Sequence, residues 1–174
     1  MTAESSQEEN KAQCRLNYGP LTSDEWKEIE ALKKDERRAL TIRQPWLFAL
    51  MDPKTDKTVE NRSWYVNKTP FWILLHAAAA PAKKSDVADE KLQQAIKSAP
   101  RGRILAMARV AHIRKMTDED KGHPFVSGPY LWQLDRIVSI SGDGVACKGS
   151  LNRWQVEDSD WNACLRGLRP PPTP

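Results

Sequence analysis

Arg43, Gln44, Lys57, Thr58, Glu60, Arg62 and Trp64 fall within one short stretch, LTIRQPWLFALMDPKTDKTVENRSW, residues 40–64. Two guanidiniums and an ammonium donate hydrogen bonds to phosphate or carbonyl oxygens, while a carboxylate accepts from an amine or a base edge. Trp64, an amphipathic ring beside them, offers a face on which an unpaired base stacks. A plainer reading competes. Buried charges are paired whatever their purpose, so Glu60 and Arg62 also fit an internal ion pair that fixes strand register.

These residues need a strand, a short helix, a turn and a second strand to hold them. Leu40 and Ile42 alternate with Thr41 and Arg43, the period of a strand with one face buried. Pro45 suits the first position of a helix, where its missing N–H costs nothing. Beside Arg43 and Gln44, the N-terminus of that helix would favour an anionic or carbonyl-bearing ligand. Trp46, Ala49 and Leu50 lie at helical spacing and would dock it on a core. The segment DPKTD, residues 52–56, is a turn by composition. In KTVENRSW, Thr58, Glu60 and Arg62 share one strand face and Lys57, Val59 and Asn61 the other.

Elsewhere the pattern is mainly β with peripheral helices. Residues 1–20 are polar and charged and read as a disordered tail. A helix over residues 24–37 follows a capping signal at Thr22 and Ser23, with Trp26, Ile29 and Leu32 as its apolar stripe; it reads as an accessory element, residues 21–37. Further strands are expected at 38–43, 57–64, 71–77, 102–114, 130–140 and 151–157, with a second helix over 86–98 and a polar connection over 117–129. The tail 169–174, RPPPTP, cannot continue a helix. Short strands with one or two small helices suggest a small, partly closed barrel. Periodicity alone does not choose between that and an α+β sandwich.

The stretch LTIRQPW, DKTVENRSW and PFWILLHAAAA resembles the ASCH domain of the activating signal cointegrator and of many small proteins. The family pattern is a strand, a Q-P-W helix, a K-T-x-E-x-R-S-W strand, then an apolar strand ending in small residues. Asp56 replaces the glycine that commonly precedes the lysine, and the turn is longer. The match extends through RGRILAMARVAHI, PYLWQLDRIVSI and KGSLNRWQV and so covers roughly residues 38–157, within an ASCH-like domain expected over residues 38–168. The resemblance implies a PUA-like barrel with the charged cluster facing its cleft, and a role in binding nucleic acid, single-stranded RNA first. Arg43, Gln44, Lys57, Glu60, Arg62 and Trp64 are then the ligand contacts.

Two alternatives remain. Some small bacterial relatives of this pattern are amidohydrolases acting on N4-acetylcytidine through a lysine, a threonine and a glutamate. Lys57 matches the lysine, but the threonine position holds Glu60. Thr58 is displaced by two residues, roughly 7 Å along a strand, and a hydroxyl nucleophile needs its base within hydrogen-bond reach. No catalytic residue is therefore assigned; if the protein were a hydrolase, Lys57, Glu60 and Thr58 would be the set. The cointegrator relationship suggests a third role, as an interaction module of a transcription or RNA-processing complex.

Composition agrees with a nucleic-acid partner without demanding one. The chain has 27 basic and 23 acidic residues, a net charge of +4; residues 1–38 hold seven basic and nine acidic residues, so the remainder carries +6. Cys14, Cys147 and Cys164 are odd in number and have no CxxC spacing, and the three histidines are scattered. Neither a disulfide framework nor a zinc site is supported, so no metal or cofactor is expected. No apolar run matches a membrane span and the polar start is unlike a signal peptide, which leads to the expectation of an intracellular monomer, cytoplasmic or nuclear. Among the other aromatic residues, Trp46, Trp72 and Trp132 read as core, Trp26 and Trp161 as anchors on peripheral helices, and Trp154 as either. His76 reads as a satisfied core or rim histidine, His112 and His123 as structural or exposed. Lys83, Lys84, Arg101 and Arg103 form a solvated rim that could touch phosphate.

Overall fold

The computed structural model describes residues 15–168. The expected tail at 169–174 and the first fourteen residues of the expected tail at 1–20 lie outside the described residues. The elements are α1 (Ser23–Glu30), β1 (Arg38–Ile42), α2 (Trp46–Met51), β2 (Val59–Arg62), β3 (Phe71–Ala77), α3 (Glu90–Ser98), β4 (Arg103–Lys115), β5 (Tyr130–Ser139), β6 (Val145–Ala146), β7 (Arg153–Gln155) and α4 (Asp158–Gly167). The strands form one mixed sheet in the order β2-β5-β4-β3-β1-β7, with β6 added to the start of β4. β1 and β3 run parallel, Ala39 opposite Leu74, and the remaining named pairs are antiparallel.

This sheet curls into a half-barrel. In a flat sheet β2 and β1 would lie four inter-strand steps apart, roughly 19 Å, beyond the reach of one arginine. Yet Arg62 Nη2 donates to Thr41 O at 2.8 Å, joining the end of one edge strand to the far side of the sheet. Both faces are covered. Ile73 and Leu75 join Leu40, Leu47, Leu134 and Trp132 in the inner core, while Trp72 and Leu74 join Ile29, Met107, Trp161 and Cys164 in the outer one. A strand buried on both faces loses the alternation of a half-exposed one, which is why residues 71–77 read as an unbroken apolar run. α1 and α4 cover the outer face, and α2 the inner one.

Several boundaries differ from the sequence expectation, among them β7, which covers only Arg153–Gln155 of the expected 151–157. α1 stops at Glu30 instead of running to Arg37, because Ala31 caps it and Lys34–Glu36 form a separate 3-10 turn. Its start is as expected, a capping box between Thr22 and Glu25. α3 begins at Glu90, since Asp89 and not Asp86 supplies the cap, accepting from Lys91 N and Leu92 N. The second strand covers only Val59–Arg62, so Lys57 and Thr58 precede it. Residues 15–20, expected within the disordered tail, are packed: Leu16 lies in the inner core and Asn17 bridges to Arg136.

Candidate functional site

Two adjoining hollows open where β1 ends and β2 begins. One, of about 490 Å³, is bordered by Thr41, Arg43, Glu60, Arg62 and the 150–152 loop. The other, of about 360 Å³, lies over Lys57 and is bordered by Asp86, Phe125 and Ser127. Trp46, Glu60 and Asn61 line both, so the two are lobes of one cleft with Glu60 at the junction. Each lobe falls in the range of small-ligand sites.

Lys57 forms the floor. Its side chain is only 3% exposed, and its Nζ donates to Val59 O at 2.7 Å and stands 3.9 Å from Glu60 Oε2. The Trp46 and Phe125 rings lie 5.9 and 5.6 Å from it, within cation–π range. Burial pushes the ammonium below its ordinary pKa; Glu60 opposes that shift and Arg62 adds to it. Strand alternation had put Lys57 and Glu60 on opposite faces. They meet because Lys57 lies before the first residue of β2, where period-two geometry does not apply.

Glu60 Oε1 is 3.2 Å from Arg62 Nη2, and the Arg62 Nε is buried with no protein hydrogen-bond partner. Arg43 is exposed at the rim of the first lobe. Thus Arg43, Lys57, Glu60 and Arg62 converge as a cleft cluster. Two expected ligand contacts, Gln44 and Trp64, do not join them, nor does Thr58 of the conditional hydrolase set. Gln44 is 1% exposed and fully engaged: its Oε1 accepts from Phe48 N at 2.8 Å and its Nε2 donates to Pro100 O at 2.9 Å. It therefore caps α2 instead of meeting ligand, Pro45 taking the N-cap position without a side-chain bond. Trp64 packs its ring edge-on against Trp132, centroids 4.7 Å apart, and lines neither lobe. Thr58 lies outside the lining as well, its carbonyl accepting from Leu134 N and Gln133 Nε2.

Two residues of the site escaped the sequence reading. Trp46, taken as core, is half-buried and forms the wall between the lobes. Asn61 clamps the long polar connection over the cleft: its Nδ2 donates to Phe125 O at 2.9 Å and its Oδ1 accepts from Ser127 N and Gly128 N. That clamp brings Phe125 to Lys57. The helical spacing of Trp46 with Ala49 and Leu50 carries no sign of the cleft, and Asn61 shows only as a polar residue within a strand.

Beneath the first lobe runs a directed hydrogen-bond chain. His76 Nε2 donates to Cys147 O at 2.8 Å, leaving Nδ1 to accept from the Thr41 hydroxyl at 3.3 Å. Thr41 Oγ1 in turn accepts from Trp154 Nε1 at 3.0 Å. Burial holds the His76 imidazole below its ordinary pKa, against the pull of the Cys147 hydrogen bond. A Cβ on residue 149 would lie 2.7 Å from both the His76 ring and Thr41 Oγ1, so only glycine lets the 147–152 loop close here. His76 is a satisfied core residue, as the sequence suggested. Lys83, Lys84 and Arg101 are exposed, and Arg103 Nη1 donates to Asp143 O.

No protein-family model matches the chain, and no curated protein matches it. Among the described residues no group of three or more histidine, cysteine or acidic side chains could hold a metal ion, and no helix is long and apolar enough to cross a membrane.

Proposed function

We propose that this protein is a PUA-like, ASCH-type module that takes an unpaired base or nucleotide of single-stranded RNA into the cleft between β1 and β2. The observation that carries this reading is the incomplete pairing at the lobe junction. Glu60 faces both lobes, with a loose contact to Lys57, and the Arg62 Nε has no partner in the protein. Buried polar groups are ordinarily satisfied; here the Nε itself is shielded from solvent, and it is the Glu60 carboxylate and the partly exposed end of Arg62, bordering the hollow with incomplete pairing, that suit a ligand. Glu60 would accept from a base edge, Arg43 and Arg62 would meet phosphate or carbonyl oxygens, and Trp46 would take the stacking role expected of Trp64. The resemblance in KTVENRSW and the positive balance beyond residue 38 point the same way.

The test is titration with labelled single-stranded RNA at several salt concentrations. Affinity should fall as salt rises, because phosphate contacts release counterions, and Arg62→Ala should weaken binding while the protein stays folded. Unchanged affinity in that variant would return Arg62 to the role of a structural ion pair.

One observation favours a second reading. A lysine whose ammonium is disfavoured by burial, beside a carboxylate in a lined hollow, is also the setting of acid–base chemistry. Deacylation of N4-acetylcytidine that is abolished by Lys57→Ala would make the protein an amidohydrolase with Glu60 as general base. Without a hydroxyl at position 60, we favour binding.

A further inference from the structure

At the opposite end of β1 from the cleft lies another hollow, of about 540 Å³, in which Arg38 and Arg153 meet. Arg38 is held rigidly by two backbone acceptors: its Nε donates to Asp35 O at 2.7 Å and its Nη1 to Arg153 O at 3.3 Å. The Arg153 guanidinium lies 4.2 Å from the centroid of the Phe71 ring. Its Nε is buried without a hydrogen-bond partner, and no carboxylate lies within ion-pair distance of it among the described residues. Burial and the neighbouring Arg38 both disfavour its charge. Lys33 and Lys68 also border the hollow.

Three acids border it too, but two are engaged elsewhere. Glu28 accepts from the Trp72 indole at 2.9 Å, and Glu36 accepts from Lys33 N at 3.2 Å. Asp35 forms no ion pair either, so two guanidiniums stand side by side, one stacked and partly desolvated, in a hollow bordered by four cations and three acids, and neither guanidinium is ion-paired to any of the acids. The terminal N–H groups that these contacts leave over, on guanidiniums held in place by the backbone and by Phe71, suit the oxygens of a phosphate.

The hollow is also continuous with the cleft along the chain. Arg153 follows Asn152, which borders the Arg43 lobe. Arg153 stands opposite Leu40 in the β1–β7 register, and Arg38 and Arg43 bracket β1. The two ends of that strand are about 13 Å apart, a span of a few nucleotides of extended single strand.

We propose that Arg38 and Arg153 form a second, phosphate-binding subsite, so that the RNA strand held at the Glu60 cleft continues across the β7 edge onto them. The subsite rests on the nucleic-acid reading of the cleft and adds an expected ligand length to it. A mononucleoside would engage only the cleft; a longer strand would engage both ends of β1.

Affinities of a mixed-sequence dinucleotide and octanucleotide of single-stranded RNA, measured by calorimetry against salt, test this. The octanucleotide should bind tighter and with the steeper salt dependence. Arg153→Gln should weaken the octanucleotide roughly tenfold, the scale of one charge-assisted hydrogen bond, and lower its log–log salt slope by about 0.7 per phosphate lost. The dinucleotide should bind Arg153→Gln as it binds the wild type. Lys68→Gln, on an exposed side chain whose loss spares the fold, should give a weaker version of the same length-selective effect. Equal affinity for both lengths, or an octanucleotide indifferent to both substitutions, overturns the subsite and leaves the cleft reading standing. Tighter binding of an acidic peptide than of RNA at Arg153 also overturns it. Failure of both oligonucleotides to bind removes the cleft reading and the subsite together.

Discussion

Two groups of buried charge in this molecule have the same ingredients and opposite degrees of completion. In one, Arg136 on β5 meets Glu25 on α1. Its Nε and Nη2 donate to the two Glu25 oxygens at 2.6 and 2.9 Å, and its remaining donors reach Asn17 O, Gly19 O and Pro20 O. Arg109 adds a 3.8 Å contact to Glu25 and a bidentate pair with Asp135. Burial would raise the Glu25 carboxyl, but the Arg136 and Thr22 hydrogen bonds outweigh it and hold its pKa below the ordinary range. In the other group Lys57, Glu60 and Arg62 touch at 3.9 and 3.2 Å, and the Arg62 Nε has no partner. The first group balances two arginines with two acids and borders neither lobe of the cleft. The second has one acid against two cations, with Arg43 at the rim, and is hollow on both sides. Saturation marks the joint that fastens α1 and the N-terminal segment to the sheet; incompleteness marks the cleft in which we propose that a ligand is received.

The largest expected effect comes from breaking the saturated group. Arg136→Ala leaves Glu25 charged and buried without its main partner, a loss of about 3–5 kcal/mol, read as a fall in the midpoint of urea unfolding. Arg136→Met should cost less, since it keeps the volume. If Arg136→Ala melts like the wild type, the joint is not what holds α1.

Arg62→Ala should behave differently. It removes one hydrogen bond to Thr41 O and one partly exposed ion pair, about 1 kcal/mol, while sharply reducing RNA affinity. A stability loss comparable with that of Arg136→Ala would erase the distinction between the two groups.

The smallest effect is a pH dependence at Lys57. Its folded-state pKa is lowered, so the native protein resists the charge that the unfolded chain accepts. Stability from this group is therefore full above the ordinary lysine pKa and is lost as pH falls through the lowered folded value. Lys57→Met should then stabilise the protein below that value, the gain shrinking as pH rises towards 10.5. Differential melting of the two proteins across alkaline pH checks it, and a gain that grows with pH would show the ammonium to be well compensated.

Much of this was legible in residues 40–64, because strand, helix and strand there obey local rules. The mainly β architecture and the run at 71–77 follow from patterning, as does the shared strand face of Glu60 and Arg62; that Arg43 meets them was implied by the ASCH resemblance alone. Curling of the sheet was not readable in the periodicity, nor was the joint between Glu25 and Arg136, residues 111 apart. Glu25 looks like an ordinary first-turn acid and Arg136 like a solvent-facing strand residue until the chain between them is folded. Trp64 and Trp46 exchanged places for a related reason: a ring next to charges in sequence is carried inward when its strand ends at Arg62, while a ring on an apolar helical stripe can form the wall of a hollow. Asn61 gained its importance from a loop more than sixty residues away.

The most direct test of the cleft follows the seven tryptophan indole N–H signals by nuclear magnetic resonance during titration with single-stranded RNA. Trp46 borders both lobes, whereas Trp132 and Trp72 donate internally, to Trp64 O and to Glu28. The Trp46 signal should shift in proportion to bound RNA, the Trp132 signal should stay in place, and Arg62→Ala should suppress the Trp46 shift. RNA that binds while leaving Trp46 unmoved, or that moves it equally in Arg62→Ala, would contradict the assignment of the Glu60 cleft as the binding site.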